Sequence, residues 1–192
     1  MLTSIIETEN SSLWICNFDD MELLSKCVED IKDELKIKPE IRIFGSIKHQ
    51  RRDVGFFSDI SEGYRYSGQL LKSKSESENI RELKSKVNSI LGSNFNGILV
   101  NRYNSGEDYI SQHSDDEACI DRCGVVSISF GESRTLVIRD KKTKKIEKKI
   151  DLISSSMIIM KGDFQKEFTH GIPIEKSKKN VRYSFTFRNH KK

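Results

Sequence analysis

The feature that most constrains the fold is a series of short β-type runs that begins after residue 94. The runs are rich in Val, Ile, Phe and Tyr, and clusters of Gly, Ser, Asp or Lys separate them. The last run alternates between polar and apolar residues, as a strand with two unlike faces does. Many short strands with turns between them predict a β-sandwich or a jelly roll. The runs are 95–103, 125–130, 135–139, 157–160 and 181–188.

Two helical patterns precede these strands. Apolar residues recur at helical spacing over residues 23–35 and again over residues 80–91. Asp19 or Asp20 can cap the first helix, and Gly92 is placed to end the second. Helices first and strands later predict an α+β fold in which the helices buttress one side of the β core.

Length and composition indicate one ordinary domain of 192 residues. No apolar run approaches the roughly 20 residues of a membrane span, and the first twelve residues do not resemble a secretory signal. We therefore expect an intracellular protein, cytoplasmic or nuclear, that does not use a membrane, and we expect a monomer. The four cysteines lack the paired spacing of a zinc site, so we expect free thiols.

The charge is unevenly distributed along the chain. Residues 1–40 hold ten acidic and four basic side chains, whereas residues 141–192 hold fifteen basic and five acidic ones. A basic end fits a face turned toward a polyanion, although a solvated lysine-rich surface explains the same pattern. The run Lys141–Lys149 predicts an exposed hairpin end, with phosphate contacts as the alternative.

Two of the four histidines lie in informative surroundings. His113 and Asp115 form a His-x-Asp pair, and residues two apart on an extended backbone point the same way. His170 follows 57 residues later, between strand patterns. Two histidines and one carboxylate are the ligand set of non-haem iron(II) oxygenases. An exposed His-Ser-Asp loop without a metal is the alternative.

The strand pattern at 181–188 carries a polar face as well as an aromatic one. Arg182, Ser184, Thr186 and Arg188 share the polar face. Burying that face is costly without an anionic partner, and a dicarboxylate suits it because arginine binds carboxylates bidentately. A solvent-facing edge strand is the alternative.

These separated motifs resemble, in order, those of the AlkB family of nucleic-acid dealkylating dioxygenases, and most of all its eukaryotic-type DNA-repair members. The resemblance covers about Ile41 to Arg188. It implies a single domain over 1–192 with a double-stranded β-helix (jelly-roll) core at 94–188, an N-terminal helical extension at 1–40 and a nucleotide-recognition lid at 41–70. The motifs are Asn101-Arg102-Tyr103-Asn104, His113-Ser114-Asp115-Asp116-Glu117, His170-Gly171 and the run from Arg182 to Arg188.

The resemblance also implies roles for individual residues. Iron(II) is ligated by the catalytic set His113, Asp115 and His170, and dioxygen is the oxidant. Arg182 binds the distal carboxylate of 2-oxoglutarate. Family members often have Asn where this chain has Ser184, which can donate a hydrogen bond but reaches less far. The full set implied for 2-oxoglutarate is Asn101, Tyr103, Arg182, Ser184, Thr186 and Arg188.

The part that resembles the lid concerns the substrate. A base must leave its stack before it can react, which calls for aromatic side chains to hold it. Tyr66, with Tyr64, is the predicted stacking side, and Phe44 is the predicted wedge, with a strand-core role as its alternative. Gly45, Ser67, Asp116 and Glu117 complete the predicted substrate contacts. The nearby polar groups that could meet phosphates are Arg42, His49, Arg51, Arg52 and Arg65.

The implied function is oxidative demethylation of 1-methyladenine and 3-methylcytosine in alkylated DNA, with release of formaldehyde and succinate. Two alternatives stay open at this point. The same oxygenase chemistry could act on RNA bases or on a protein side chain, or the chain could be a non-catalytic nucleic-acid-binding module. Retention of all three candidate metal ligands argues against the non-catalytic module.

Overall fold

The computed structural model describes residues 2–43, 45–66, 69–115 and 124–190, and of Ile43 only the backbone. The helices in this part of the chain are α1 (Met21–Ile31), α2 (Glu78–Leu91) and α3 (Phe164–Glu167). The strands are β1 (Thr3–Glu7), β2 (Ser11–Asn17), β3 (Glu40–Ile43), β4 (Ser46–His49), β5 (Asp53–Phe57), β6 (Gly63–Tyr66), β7 (Gln69–Lys72), β8 (Gly97–Tyr103), β9 (Ile110–His113), β10 (Val125–Gly131), β11 (Arg134–Asp140), β12 (Ile146–Leu152), β13 (Ser156–Gly162), β14 (Phe168–Ile172) and β15 (Arg182–Arg188).

Two antiparallel sheets form the β core among the described residues. The larger has seven strands in the order β1-β2-β13-β10-β15-β8-β5, and the smaller has four in the order β12-β11-β14-β9. Leu136 and Ile138 of the smaller sheet share one buried apolar cluster with Ile158 and Met160 of the larger sheet. The two sheets therefore pack face to face, as expected for the predicted jelly roll.

The outer face of the larger sheet is covered by α1 and α2, which confirms the predicted buttress. The Asp20 side chain caps α1 by accepting from the Leu23 amide at 3.0 Å. Gly92 ends α2 in the left-handed conformation, with φ of 59°. Leu24 and Ile80 are fully buried in one cluster with apolar residues of the sheet.

Strand β15 lies in the middle of the larger sheet, paired with β10 on one side and β8 on the other. All seven of its residues are buried, so the alternative of a solvent-facing edge strand is wrong. Tyr183, Phe185 and Phe187 belong to the cluster beneath the helices. The alternate residues, beginning with Arg182, face the smaller sheet and line a cavity between the two sheets.

The predicted helical extension over residues 1–40 is wrong for its first part. Residues 3–7 and 11–17 form β1 and β2, and β2 pairs with β13 along its whole length. This pairing is tertiary, which explains why a short and weakly patterned segment becomes a strand. The lysine run lies at the exposed end of the β11–β12 hairpin, as predicted, and β12 begins within it at Ile146 and forms an edge of the smaller sheet.

Two hairpins, β3–β4 and β6–β7, lie in the region predicted as the lid. Buried Asp53 links the segment that precedes the first hairpin to the core. Its carboxylate accepts hydrogen bonds from the Lys38 amide at 3.0 Å and from the Arg102 guanidinium and the Asn104 amide, both at 2.8 Å. The position of the hairpin region thus depends on a buried carboxylate that has three donors.

Cys16 and Cys27 are free thiols, whereas Cys119 and Cys123 lie outside the described residues. None of the described helices combines the length and the apolarity needed to cross a membrane.

The stability of the fold should depend on pH through His190. Its ring stacks on Phe56 with 4.8 Å between centroids, and burial together with the charge of Arg188 lowers its pKa from 6.5 to about 4. Between these values the unfolded chain binds a proton that the folded chain does not, so stability falls as pH falls from about 6.5 toward 4.

Urea unfolding of His190→Asn, compared with the wild type at several pH values, checks this. We expect the variant to show a shallower loss of stability across that window. Equal slopes for His190→Asn and the wild type would contradict the assignment.

Candidate active site

His113 and His170 lie directly opposite each other on the paired strands β9 and β14 of the smaller sheet. Directly opposed residues of an antiparallel pair bring their side chains together. The two imidazole rings are 4.5 Å apart between centroids. Strand pairing thus brings together two histidines that are far apart in sequence.

Asp115 follows the end of β9 and completes the predicted triad. One of its carboxylate oxygens is 3.7 Å from Nε2 of His113, and the other is 3.6 Å from Nε2 of His170. The Asp115 amide donates to the Gln165 side chain at 2.9 Å, and the Ser114 hydroxyl donates to the Phe168 carbonyl at 2.9 Å. These two hydrogen bonds hold the segment that carries the carboxylate.

The three ligand atoms lie within 4.8 Å of one another. Metal–nitrogen and metal–oxygen bonds of about 2.1 Å can bridge the distances between the Asp115 oxygens and either imidazole. Mixed imidazole and carboxylate ligands suit iron(II). The donor set therefore fits the metal that the sequence predicts.

His113 is prepared to act as a ligand. Its Nδ1 is 2.9 Å from the Ser111 carbonyl, which can only accept, so the proton lies on Nδ1 and Nε2 keeps its lone pair. Burial, reinforced by the neighbouring His170, lowers the pKa of His113 from 6.5 to about 3. The ring is neutral at physiological pH and need not lose a proton to bind a metal.

Asp115 is held in its charged form. Burial by itself would raise its pKa, but the positive charge of Arg188 and the hydrogen bond with His170 hold the pKa well below its usual range. Arg188 Nη2 donates to Asp115 Oδ1 at 2.6 Å, and both side chains are buried. The Asp115 carboxylate follows the end of β9 of the smaller sheet, and an arginine of the larger sheet holds it.

Arg182 is the strongest sign of an anionic ligand. Its Nη2 donates to the Ser129 hydroxyl at 2.8 Å, but its Nε and Nη1 are buried without a hydrogen-bond partner among the described residues. Tyr103 lies opposite Arg182 on β8, with its ring centroid 5.2 Å from the guanidinium carbon. Burial lowers the pKa of Arg182. A buried guanidinium with free donors is costly unless an anion occupies the site.

The other predicted 2-oxoglutarate residues lie on the same face. Asn101 is opposite Ser184 across the β8–β15 pair, and the Ser184 hydroxyl is 2.8 Å from that of Ser127. The Thr186 and Ser127 hydroxyls are 3.3 Å apart. Asn101 accepts from Arg52 Nε at 2.7 Å, which turns its amide NH₂ group away from Arg52.

Ser127 and Ser129 were not predicted as residues of the site. They lie two apart on β10, opposite Thr186 and Ser184 of β15, and this alternation is visible in the sequence. It also assigned Arg52 to phosphate contacts, whereas Arg52 is buried and lines the cavity. The periodicity of a segment does not show whether a cationic side chain is buried or exposed, because its burial depends on which distant strands pack against it.

The cavity between the sheets contains about 520 Å³ of empty space, part of which is open to solvent. The larger sheet contributes the polar face described above, and the smaller sheet contributes the triad. Both parts of the predicted site therefore face one cavity. Among the lining residues are Arg52, Tyr64, Asn101, Tyr103, His113, Asp115, His170, Arg182, Ser184, Thr186 and Arg188.

The predicted substrate residues are only partly brought together. Tyr64 is buried in the cavity wall, with the Arg188 guanidinium carbon 4.6 Å from its ring centroid. Tyr66 is half-buried outside this cavity, and Gly45 lies in an exposed turn. Their substrate roles stay predictions. Phe44, Ser67, Asp116 and Glu117 lie outside the described residues.

The family model described as the 2OG-Fe(II) oxygenase superfamily matches residues 14–188. The chain belongs to this superfamily. Membership of a 2OG-Fe(II) oxygenase superfamily agrees with the His113, Asp115 and His170 triad, and it implies iron(II), 2-oxoglutarate and dioxygen.

Curated relatives of this oxygenase confirm the resemblance to the AlkB family. This chain is 28% identical over 156 residues to the DNA oxidative demethylase ALKBH2 of Bos taurus, and the match covers 77% of this chain and 56% of that protein. It is 34% identical over 118 residues to the human alpha-ketoglutarate-dependent dioxygenase alkB homolog 3, covering 57% of this chain and 41% of that one. The chain thus spans about half the length of these relatives.

Solved structures confirm the double-stranded β-helix fold. The structure of OsALKBH1 matches with a TM-score of 0.58 and 15% identity, covering 96% of this chain and all of the other. A prolyl hydroxylase from Trichoplax adhaerens, in complex with a hypoxia inducible factor peptide fragment, matches with a TM-score of 0.62 and 14% identity, covering 93% of this chain and 83% of the other.

Replacing Asp115 with Ala should abolish tight metal binding. The substitution removes the carboxylate of the triad, and we expect the affinity for Mn²⁺, a redox-inert substitute for iron(II), to fall by more than about 100-fold. Calorimetric titration measures this, with Asp151→Ala on the exposed face of β12 as the control. Unchanged affinity in Asp115→Ala would place the metal elsewhere.

Replacing Arg182 with Ala should weaken 2-oxoglutarate binding by roughly 30-fold or more, because a buried charged pair is lost. The metal affinity should stay unchanged, because Arg182 donates to Ser129, whereas Arg188 pairs with the Asp115 carboxylate. The exposed Arg81→Ala variant on α2 serves as the control. Titrating the Mn²⁺-loaded protein with 2-oxoglutarate tests this, and equal affinities would remove Arg182 as the anchor.

Proposed function

We propose that this protein is an oxidative demethylase of N-alkylated bases in DNA, of the 1-methyladenine and 3-methylcytosine type. The observation that carries the proposal is that the His113, Asp115 and His170 triad shares one cavity with a buried arginine, two of whose donors have no partner in the described part of the chain. Support for a DNA substrate comes from the relatives, one of which is a DNA oxidative demethylase by name.

The cosubstrate is bound by the polar face of the larger sheet. Arg182 takes the distal carboxylate of 2-oxoglutarate through Nε and Nη1, which have no hydrogen-bond partner among the residues that the structure describes. The ring centroid of Tyr103 lies 5.2 Å from the Arg182 guanidinium carbon, and Ser184 lines the same cavity. Asn101 presents its amide NH₂ group, because Arg52 already occupies the amide oxygen.

Iron(II), held by His113, Asp115 and His170, supplies the oxidation of the alkyl carbon when it is bound with its cosubstrates. The overall reaction consumes one 2-oxoglutarate and one dioxygen for each methyl group. One oxygen atom ends in succinate and the other in formaldehyde, while carbon dioxide leaves and the base nitrogen regains its normal valence.

The residues of the chain orient the reactants and keep them dry. Arg188 holds Asp115 in its charged form and stacks over Tyr64, so the triad and the aromatic wall are coupled through one side chain. Tyr64 provides a ring face at the cavity for the extruded base. Tyr66 continues the aromatic surface, with its ring 6.2 Å from that of Tyr64 and nearly parallel to it.

The test measures succinate and formaldehyde release with oligonucleotides that contain 1-methyladenine or 3-methylcytosine, as single- and double-stranded DNA and as RNA. We expect both products in equal amounts, and faster release with DNA than with the same RNA sequence. Faster turnover on RNA would favour the RNA alternative. Succinate release without any stimulation by methylated nucleic acid would point to a different substrate, such as a protein side chain.

A non-catalytic nucleic-acid-binding module is the remaining alternative. It predicts oligonucleotide binding without succinate formation, even when iron(II) and 2-oxoglutarate are saturating. Two donors of Arg182 are buried without a partner within the described ranges, and this favours the enzyme, because a binding module gains nothing from burying them.

A further inference from the structure

A second cavity lies between the two hairpins and is separate from the catalytic one. About 370 Å³ of empty space lies between its walls, and part of that space is open to solvent. Its walls are mostly apolar or aromatic and come from both hairpins and from β5. The main wall residues are Ile41, Val54, Tyr64, Tyr66, Leu70 and Leu71.

Gln50 places an unsatisfied acceptor at this cavity. Its side chain is 8% exposed, and its Oε1 is buried with no hydrogen-bond partner in the described part of the chain. An unpaired buried acceptor is destabilising, so it calls for a ligand that donates a hydrogen bond. Apolar and aromatic walls with one convergent acceptor suit a planar ring that carries an N–H group at its edge.

Tyr64 connects the second cavity to the catalytic one, because its ring lines both. A ligand in the second cavity therefore lies one aromatic ring away from the catalytic cavity. Adjacent nucleotides of a strand are suited to occupy two such neighbouring sites when the protein splays their bases apart.

The charge around the second cavity also fits a nucleic acid strand. The exposed side chains of the two hairpins include Arg42, Lys48, Arg65 and Lys72, against the single carboxylate of Glu40. Exposed cations on the hairpins that form an aromatic site are suited to bind phosphates while bases stack. The charged side chains that line the cavity itself are Lys36 and Glu40.

We propose that the cavity beside Gln50 binds the unpaired base next to the methylated one in the same strand, with Gln50 Oε1 accepting from an N–H of that base. This inference rests on the proposed function, since it assumes a nucleic-acid strand in the catalytic cavity. The protein then has a second base-recognition site, which binds the base beside the lesion.

The experiment uses single-stranded pentanucleotides with 1-methyladenine at the centre, bound without oxygen to the protein loaded with iron(II) and 2-oxoglutarate. An abasic site replaces the base on one side or the other. We expect binding to weaken by roughly tenfold for one of the two sides, which is the loss of a stacked and hydrogen-bonded base. 2-Aminopurine at that side should change its fluorescence on binding.

Gln50→Met removes the acceptor at similar length and should bind the intact oligonucleotide more weakly, with a smaller abasic penalty. Leu70→Trp, which fills the cavity, should reduce the same penalty. Asn180→Leu makes a comparable amide-to-apolar change at an exposed site outside the hairpins and should behave as the wild type.

Thermal unfolding separates this role from a structural one. Removing an unpaired buried acceptor should raise the Tm of Gln50→Met by roughly 2–4 °C while it weakens binding. A lower Tm would instead assign Gln50 to the stability of the hairpins and overturn the inference.

The outcomes distinguish the two proposals. Equal binding of the intact and both abasic oligonucleotides overturns the second base site, while formaldehyde release by the same protein leaves the proposed function standing. A preserved abasic penalty without formaldehyde release supports the base site and contradicts the demethylase.

Discussion

The ion pair between Arg188 and Asp115 is the interaction on which the site depends. It joins the larger sheet to the segment that follows the smaller sheet, at 2.6 Å between two buried groups. Breaking such a pair leaves an uncompensated buried charge, at a cost of about 3–5 kcal/mol. The same carboxylate is the third member of the triad, so this polar contact between the two halves of the β core and the predicted metal site share one side chain.

The electrostatics of the cavity follow from that pair. Arg52, Arg182 and Arg188 line the cavity, and among the described residues only Asp115 opposes them with a carboxylate. An excess of buried positive charge raises the free energy of the cavity when no anion is bound. It therefore favours the binding of a dicarboxylate cosubstrate. Among the described walls of the cavity, only the Asp115 carboxylate attracts a cationic base electrostatically. Any acidic groups that favour such a base would have to come from the segment that holds Asp116 and Glu117, outside the described residues.

Much of the fold and of the metal site could be predicted because the signals are local. The alternation at 181–188 gave the faces of β15, and Gly92 gave the end of α2. The triad followed from residue types and resemblance, but its geometry required the pairing of His113 with His170 across β9 and β14.

The parts that failed depend on tertiary pairing. Strand β2 is specified by β13, which lies about 145 residues later in the sequence, and the periodicity of residues 11–17 alone does not reveal this. The helical pattern extends to Leu35, yet α1 ends at Ile31 and Leu35 is buried from a turn. The role of Gln50 could not be read from the sequence, because a buried unpaired acceptor is a property of packing.

The most direct test of the central claim is a crystal structure of the protein with Mn²⁺ and 2-oxoglutarate. We predict one ion within about 2.3 Å of Nε2 of His113, Nε2 of His170 and an oxygen of Asp115, with the distal carboxylate of 2-oxoglutarate on Arg182. An ion bound without Asp115, or a cosubstrate whose carboxylate lies away from Arg182, would contradict the account.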